Sequence, residues 1–369
     1  MATEVLADDR ALRVGRRERA LAQMAADDLD VLILGRQSNI RYVSGAQQLW
    51  VAGTRPFAPS CVLVRETGAV HLLSTWDEGI PEDIPHENLY GISWNPMNTI
   101  ANLTKIPGAA TARRVGSDAL SPGFAALLPM AFPGADFIDA EPAMRAARRI
   151  KTAEEIAALR ESVRVAELGL AAAVARLRDG VPVRELAGVM LEAMTAAGVS
   201  TPANQDAVWV TAKDHPWRRV AGDGRVHTGD LVAFSAGVLD RGYIGEVGRT
   251  YPMGGHGDAL FRRAERVHQS LLAACRPGAR AAELLAAYDA AEEPLPSLPV
   301  AHGLGVGFDA PVVTSQLAAT AAAEILEASM VLAVTAYVFE QGVGAMFRRD
   351  AVLITDGGPE VLTTAPAHG

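Results

Sequence analysis

A helix start at residues 152–155 divides this sequence into two parts of different character. Thr152 is followed three residues later by Glu155, the spacing of a capping box in which each side chain satisfies a backbone N–H of the first helical turn. This spacing predicts a long helix that ends at Asp179, just before Gly180. A basic cluster precedes the helix, and we interpret it as a solvated hinge; its members are Arg145, Arg148, Arg149 and Lys151. The sequence therefore predicts two domains, residues 1–148 and 149–369.

The two parts differ in how helices and strands follow one another. Residues 8–28 are amphipathic, the apolar run Val31–Leu34 is typical of a buried strand, and further short strand candidates follow. Such alternation predicts a small α/β domain. After the hinge, strand candidates at 230–236, 243–251 and 331–338 occur without regular alternation with helices. The second part is therefore predicted to be α+β.

Composition excludes several classes of protein. A chain of 369 residues can bury a large core without crosslinks, and its two cysteines, Cys61 and Cys275, exclude a disulfide framework. The net charge of −9 argues against nucleic-acid binding. No segment approaches about 18 uninterrupted apolar residues, and the N-terminal residues lack the apolar stretch of a signal peptide. We therefore expect a cytoplasmic protein that binds a small molecule, with neither membrane nor nucleic acid as a partner.

Common catalytic and nucleotide-binding motifs do not explain this chain. The segment at residues 302–307 contains the glycines of a dinucleotide loop, but it lacks the strand-to-helix context and the later acidic residue that such a loop needs. The sequence contains no GxxxxGK[ST] loop, no GxSxG elbow and no HExxH helix. Any catalytic or ligand-binding site in this chain must therefore be built from residues outside these motifs.

Several short motifs occur in an order that resembles the family of methionine aminopeptidases, prolidases and creatinases. In the second domain they are the helix entry at 148–156, the hairpin start at 229–232, Arg249-Thr250 in the returning strand, the HGxG segment at 302–305 and the strand at 350–355. In the first domain, residues 39–45 resemble the small domain that precedes the catalytic domain of prolidases and creatinases. The resemblance implies a pita-bread α+β fold preceded by a creatinase-type α/β domain. It also implies a homodimer.

Most members of that family hold two metal ions with two aspartates, one histidine and two glutamates. The resemblance places these ligands, in order, on Ser235, Glu246, His302, Thr335 and Arg349. His302 keeps the family's ligand and Glu246 is a longer acid, but Arg349 is a permanent cation. At about 4 Å and an effective dielectric constant near 20, each pair of like unit charges repels by roughly 4 kcal/mol. We therefore predict no metal ion and no other cofactor at these five positions, which we call the candidate site.

Two further histidines of the family are also replaced. The histidine before the hairpin corresponds to Arg218, or to His215 if the loop is three residues longer. The histidine seven residues after His302 corresponds to Asp309. The acid and base of the peptidases are therefore altered. We interpret another histidine, His268, as a surface residue of a helix.

The altered residues suit metal-free chemistry like that of creatinases, which cleave C–N bonds in small zwitterions. His302, Glu246 and His215 are the candidate catalytic acid and base. Arg218 and Arg349 can bind a carboxylate through paired hydrogen bonds, and Glu246 can hold an ammonium or guanidinium group. This predicts a metal-independent hydrolase or lyase that acts on a C–N or related bond of a small charged, nitrogen-bearing compound.

Two other functions remain open. Loss of three of five ligands is also typical of a non-catalytic pseudopeptidase, in which Arg349 pairs with Glu246 and closes the site. A site filled by the Arg349 side chain would favour this alternative. An Xaa-Pro dipeptidase or aminopeptidase is disfavoured because its metal ligands are missing.

The remaining candidate substrate-binding residues each have a structural explanation as well. Asp309 and Thr335 line the projected site, and Ser235 is explained as a small filler because no base has triad spacing. Trp217 can stack on a substrate cation or pack within its own loop. Arg55 belongs to a loop that, in creatinase-like dimers, reaches the active site of the other subunit; alternatively, it is a surface residue.

Overall fold

A computed structural model describes residues 9–46, 61–73, 79–91, 93–199, 201–203, 207–216, 223–255 and 257–367. The chain divides into two compact units, Met1–Arg148 and Arg149–Gly369. Within the described ranges, every helix is too short or too polar to cross a lipid bilayer.

The first unit contains a mixed six-stranded sheet. Its helices are α1 (Asp9–Ala26), α2 (Gln37–Ser44), α3 (Pro96–Leu103), α4 (Pro122–Ala125) and α5 (Glu141–Arg149). Its strands are β1 (Val31–Leu34), β2 (Cys61–Val64), β3 (Val70–Leu73), β4 (Leu89–Tyr90), β5 (Arg114–Ser117) and β6 (Asp136–Asp139). The strand order is β4-β3-β2-β1-β5-β6, with β1 parallel to β5 and antiparallel to β2. All four side chains of β1 are buried, as expected of a central strand.

The second unit is built on an eight-stranded antiparallel sheet. Its helices are α6 (Ala153–Val174), α7 (Val183–Ala196), α8 (Asp258–Ala274), α9 (Ala282–Ala290) and α10 (Ala318–Ala323). Its strands are β7 (Val208–Val210), β8 (Leu231–Asp240), β9 (Tyr243–Pro252), β10 (Ala301–Leu304), β11 (Phe308–Val313), β12 (Val331–Glu340), β13 (Gly344–Thr355) and β14 (Gly358–Val361). The order is β11-β10-β12-β13-β9-β8-β7, and β14 pairs with β13.

Strand alternation gives this sheet two different faces. Phe234 of β8 and Val247 of β9 pack with residues of α6 and α7 in one apolar core. Val334 of β12 and Val352 of β13 pack with residues of α8 and α9 in a second core. Both cores lie on the face of the sheet that is covered by helices, which we call the helix face. The alternate residues of the same strands point to the opposite face, which we call the site face because it carries the candidate site.

A glycine allows α6 to lie directly on β9. A Cβ built at Gly245 would be 2.2 Å from the carbonyl oxygen of Ser162 in α6. Any larger residue would therefore push the helix away from the sheet.

The capping box that defines the start of α6 is confirmed, but the predicted end of the helix is wrong. The Thr152 hydroxyl accepts a hydrogen bond from the Glu155 N–H at 3.2 Å, and the Glu155 carboxylate accepts one from the Thr152 N–H at 3.0 Å. The helix ends at Val174, because the N–H groups of Arg176 and Leu177 bond to carbonyls three residues earlier and tighten the chain into turns.

The prediction of a solvated hinge is wrong for two of its basic residues. Arg148 and Lys151 are each only 3% exposed. Arg148 lies 3.8 Å from the carboxylate of Glu141, and Lys151 forms an ion pair within the second unit. Nearby carboxylates, Glu141 for Arg148 and Asp309 for Lys151, allow these two basic residues to be buried.

Candidate active site

Four strands bring residues of the candidate site into one row across the sheet. Ser235 of β8 is paired with Gly248 of β9, Gly248 with Arg349 of β13, and Arg349 with Thr335 of β12. Residues directly opposite one another in adjacent strands point to the same face. Glu246, two residues before Gly248, therefore shares this face as well.

Arg349 forms an ion pair with Glu246. Arg349 Nη1 donates to Glu246 Oε2 at 2.9 Å, and Arg349 Nε donates to Thr335 Oγ1 at 3.0 Å. The side chains of Arg349 and Glu246 are 15% and 7% exposed. The arginine side chain thus extends among the positions that hold metal ligands in the family.

His302 approaches the same carboxylate from β10. It lies opposite Ala333 of β12, which is two residues from Thr335, so its side chain is on the site face. His302 Nε2 is 3.5 Å from Glu246 Oε2, and the imidazole is buried. Glu246 consequently lies between an imidazole and a guanidinium group.

The protonation states of these groups follow from their surroundings. Burial alone would raise the pKa of Glu246, but the Arg349 guanidinium and the His302 contact outweigh it and lower the pKa to about 2. Burial lowers the pKa of His302, Arg349 lowers it further, and Glu246 and Asp309 act against this. Near neutral pH the site therefore contains an ionised carboxylate beside a neutral imidazole.

An aromatic side chain that the sequence did not single out supports Arg349. The Arg349 guanidinium carbon lies 5.2 Å from the centre of the Phe347 ring, and the Phe347 and Trp209 rings are 5.6 Å apart. A Cβ at Gly248 would lie 2.3 Å from the Phe347 ring. The sequence signal for this arrangement is a glycine that alternates with Glu246 and Thr250 along β9.

Asp309 forms a buried ion pair with Lys151. Asp309 Oδ2 and Lys151 Nζ are 3.1 Å apart, and the two side chains are 2% and 1% exposed. A Cβ at Gly305 would lie 2.0 Å from this carboxylate, so the glycine provides its space. The family resemblance places Asp309 near the site, whereas the only sequence signal for Lys151 is its position next to the capping box.

The other predicted site residues are distributed differently. Ser235 is buried on the site face, whereas His215 is exposed. The neighbouring Pro216 carbonyl accepts a hydrogen bond from Tyr337 on β12. Trp217, Arg218 and Arg55 lie outside the described residues.

The interpretation of His268 as a surface residue is wrong. It is 1% exposed, and its Nε2 lies 2.7 Å from Asp350 Oδ2. Asp350 follows Arg349 on β13 and therefore points to the helix face of the sheet. His268 therefore lies on the helix face, where it contacts the residue that follows Arg349.

The donor set at the candidate site does not fit a pair of metal ions. Among its five members, only Glu246 and His302 are groups that commonly bind metals, and the carboxylate is already paired with Arg349. Within the described residues, no three His, Cys, Asp or Glu side chains form a group that could hold a metal ion.

Comparison with known proteins identifies the family. The description "Metallopeptidase family M24" matches residues 157–356, and "Creatinase/Prolidase N-terminal domain" matches residues 16–150. This chain belongs to metallopeptidase family M24. The predicted pita-bread fold, preceded by a creatinase-type domain, is confirmed.

Relatives in this M24 family cover nearly the whole chain. A creatinase from Bacillus sp. is 25% identical over 383 residues, covering 95% of this chain and 90% of the relative. An Xaa-Pro dipeptidase from Pyrococcus horikoshii is 24% identical over 352 residues, covering 92% of this chain and 94% of the relative. The chain is thus a creatinase- and prolidase-like member of a hydrolase family.

Solved structures show the same fold. The prolidase from Pyrococcus horikoshii has a TM-score of 0.77 at 20% identity and covers 95% of this chain and 98% of its own. The dipeptidase PepE from Mycobacterium ulcerans has a TM-score of 0.71 at 22% identity and covers 97% of each chain.

Proposed function

We propose that this M24 member is a metal-independent hydrolase that cleaves a C–N bond in a small compound carrying both a carboxylate and a nitrogen-bearing group. The observation that carries the proposal is the position of Glu246, ionised between the neutral imidazole of His302 and the guanidinium of Arg349. Likeness to a creatinase over 95% of the chain supports the same class of reaction.

His302 and Glu246 are the proposed acid–base pair. A neutral imidazole can accept a proton from an attacking water and later return it to the leaving nitrogen. The adjacent carboxylate stabilises the imidazolium that forms between these two steps. Burial strengthens this interaction because little water screens it.

Arg349 is the proposed site for the substrate carboxylate. Two of its N–H groups are used by Glu246 and Thr335, and within the described residues its Nη2 group makes no hydrogen bond. The side chain retains 15% exposure, so a small anion can reach it. A carboxylate bound there would have its nitrogen-bearing end close to Glu246.

A second candidate function is non-catalytic ligand binding. The same 2.9 Å ion pair favours it, because Arg349 already fills part of the site that metal ions occupy in the family. Removing either partner of such a pair leaves an unpaired buried charge, so single replacements are destabilising even without catalysis.

The test uses purified protein treated with a chelator and then assayed on creatine, as a guanidino acid, and on an Xaa-Pro dipeptide, each with and without added Mn²⁺. We expect C–N cleavage that is insensitive to chelator and is lost in His302→Ala and Glu246→Gln. Arg349→Lys keeps a charge but removes the paired donors, so it should raise KM more than it lowers kcat.

Three outcomes would contradict the proposed metal-independent hydrolase. Cleavage of the Xaa-Pro dipeptide that requires Mn²⁺ would show that the protein is a metal-dependent dipeptidase. Saturable binding of these compounds without turnover would establish the second candidate. Turnover that survives both His302→Ala and Glu246→Gln would reject the proposed roles. The homodimer and the cytoplasmic location implied by the sequence stay predictions.

A further inference from the structure

The two hairpins that carry the candidate site are joined at a single point. Within the hairpins, β8 pairs with β9 and β12 with β13 over ten residue pairs each, but β9 and β13 share one register pair, Gly248 with Arg349. Glu246 lies on one hairpin and Arg349 on the other. Their separation therefore depends on how this junction is held.

Arg249 fixes the junction with all of its donors. A guanidinium group has five N–H groups, and here each has an acceptor at 2.6–2.9 Å. Nη1 donates to the carbonyls of Gly248 and Arg349, which are the two residues of the register pair. The remaining acceptors are Asp350 Oδ1 and the carbonyls of Ala365 and Pro366. The side chain is 1% exposed, so water does not compete for these bonds.

Thr250 continues the same connection along β9. Its hydroxyl accepts from the Phe347 N–H at 2.8 Å and donates to the Phe347 carbonyl at 3.1 Å. The Arg249-Thr250 motif thus supplies side-chain hydrogen bonds where the backbone ladder between the two strands is short.

The C-terminal segment 363–366 completes this arrangement. Thr363 Oγ1 donates to Asp350 at 2.5 Å, and the N–H groups of Thr364 and Ala365 both donate to Glu167 of α6 at 2.5 Å. These bonds hold the Ala365 and Pro366 carbonyls against Arg249. The segment is therefore attached both to α6 and to the junction.

We propose that Arg249, together with residues 363–366, positions the candidate site by fixing Arg349 of one hairpin relative to Glu246 of the other. Arg249 points to the helix face and acts through the Gly248 and Arg349 carbonyls, so it is a positioning residue and not a catalytic one. The inference rests on the site geometry used in the proposed function but not on catalysis.

The test observes the Arg349 side chain directly, in full-length protein labelled with 15N-arginine. The Nε–H resonance of Arg349, assigned with Arg349→Lys, reports its bond to Thr335, and because Nη1 of the same guanidinium group binds Glu246, it also responds to displacement of the side chain from Glu246. Arg249→Lys keeps the charge beside Asp350 but cannot donate to five acceptors. We expect this variant to shift the Arg349 resonance and to speed its hydrogen exchange by about tenfold or more. Removal of residues 364–369 should have the same effect.

Arg348→Gln is the matched control. Arg348 Nε also donates to Asp350, at 2.8 Å, so its loss removes a charge from the same carboxylate while the junction remains. We expect it to lower the melting temperature without changing the Arg349 resonance. A truncation that leaves the Arg349 resonance and its exchange unchanged in folded protein would overturn the proposal, even if Arg249→Lys does not fold. If Arg348→Gln changes the Arg349 resonance as much as Arg249→Lys does, the proposal is also overturned. The change would then come from the lost charge near Asp350 or from lower stability, and not from the junction. Neither result depends on whether the protein turns over a substrate.

Discussion

Gly248 and Arg349 face each other across the junction of β9 and β13, and a Cβ on Gly248 would come within 2.9 Å of the Arg349 Cβ. The missing side chain leaves room for the Phe347 ring, over which the Arg349 guanidinium extends to Glu246. One small residue thus determines where the arginine lies.

Replacing this glycine should disturb the site. Gly248→Ala brings a methyl group to 2.3 Å from the Phe347 ring, and we expect a loss of about 1–3 kcal/mol in unfolding free energy from overpacking. Urea denaturation measures it. Gly188→Ala in α7 is the control, because nothing lies within 4 Å of its Cβ and alanine favours a helix by about 1 kcal/mol over glycine. Equal effects of the two changes would contradict the close contact.

Breaking the Glu246–Arg349 pair from one side should cost more than removing it entirely. Arg349→Met leaves the buried Glu246 carboxylate without its cation, and we expect a loss of about 3 kcal/mol in unfolding free energy. The double variant Glu246→Met, Arg349→Met should recover much of that loss. Additive losses in this double-mutant cycle, measured by chemical denaturation, would show that the two side chains do not interact.

The stability of the second unit should decrease in acid. Glu246 has its pKa lowered from 4.5 to about 2, so the unfolded chain takes up its proton first, and stability present above pH 4.5 is lost as the pH falls toward 2. This difference corresponds to about 3 kcal/mol. The lowered pKa of His302 acts in the same direction below 6.5, because the buried imidazole resists protonation. In Glu246→Gln the fall in unfolding free energy measured between pH 4.5 and 2 should be smaller, and the remainder is due to other carboxylates with a lowered pKa, such as Asp350. A fall of the same size in that variant would assign it to other carboxylates alone.

The metal site of the family should be recoverable by changing side chains alone. The combined variant Ser235→Asp, Glu246→Asp, Thr335→Glu and Arg349→Glu restores the family's four carboxylates, on strands whose register places these four positions on the same face as His302. We expect this variant to bind Mn²⁺ or Co²⁺ and the unmodified protein to bind neither stoichiometrically, as measured by calorimetry and metal analysis. His302→Ala in the restored variant should weaken binding. Stoichiometric binding by the unmodified protein would refute metal independence.

The buried pair of Lys151 and Asp309 should behave like a structural ion pair. Lys151→Met leaves a carboxylate that is 2% exposed without its partner, and we expect a loss of about 3–5 kcal/mol in unfolding free energy. Lys151→Met combined with Asp309→Leu should be much less destabilised. If the single and double variants lose the same free energy, Asp309 has another essential partner.

The sequence by itself was enough to identify the fold, and its resemblance to the family placed the five residues of the candidate site. The capping box at Thr152 and Glu155 located the start of α6, and ordered motifs such as the HGxG segment identified the family, because these signals are local and need no long-range contact. The charge of Arg349 was enough to predict that metal ions would be repelled. Local signals did not reveal where α6 ends, since tight turns at Arg176 and Leu177 stop it before Gly180.

The tertiary structure decided how the site residues interact. Arg349 and Glu246 are separated by 103 positions in the chain, and only the register of β9 and β13 places them 2.9 Å apart. The same register buries His268 and Arg249 around Asp350 and brings the C-terminal segment onto the junction. Lys151 is buried because Asp309, 158 positions later, faces it. Burial and ion pairing depend on which strands meet, and that information is distributed over the whole chain.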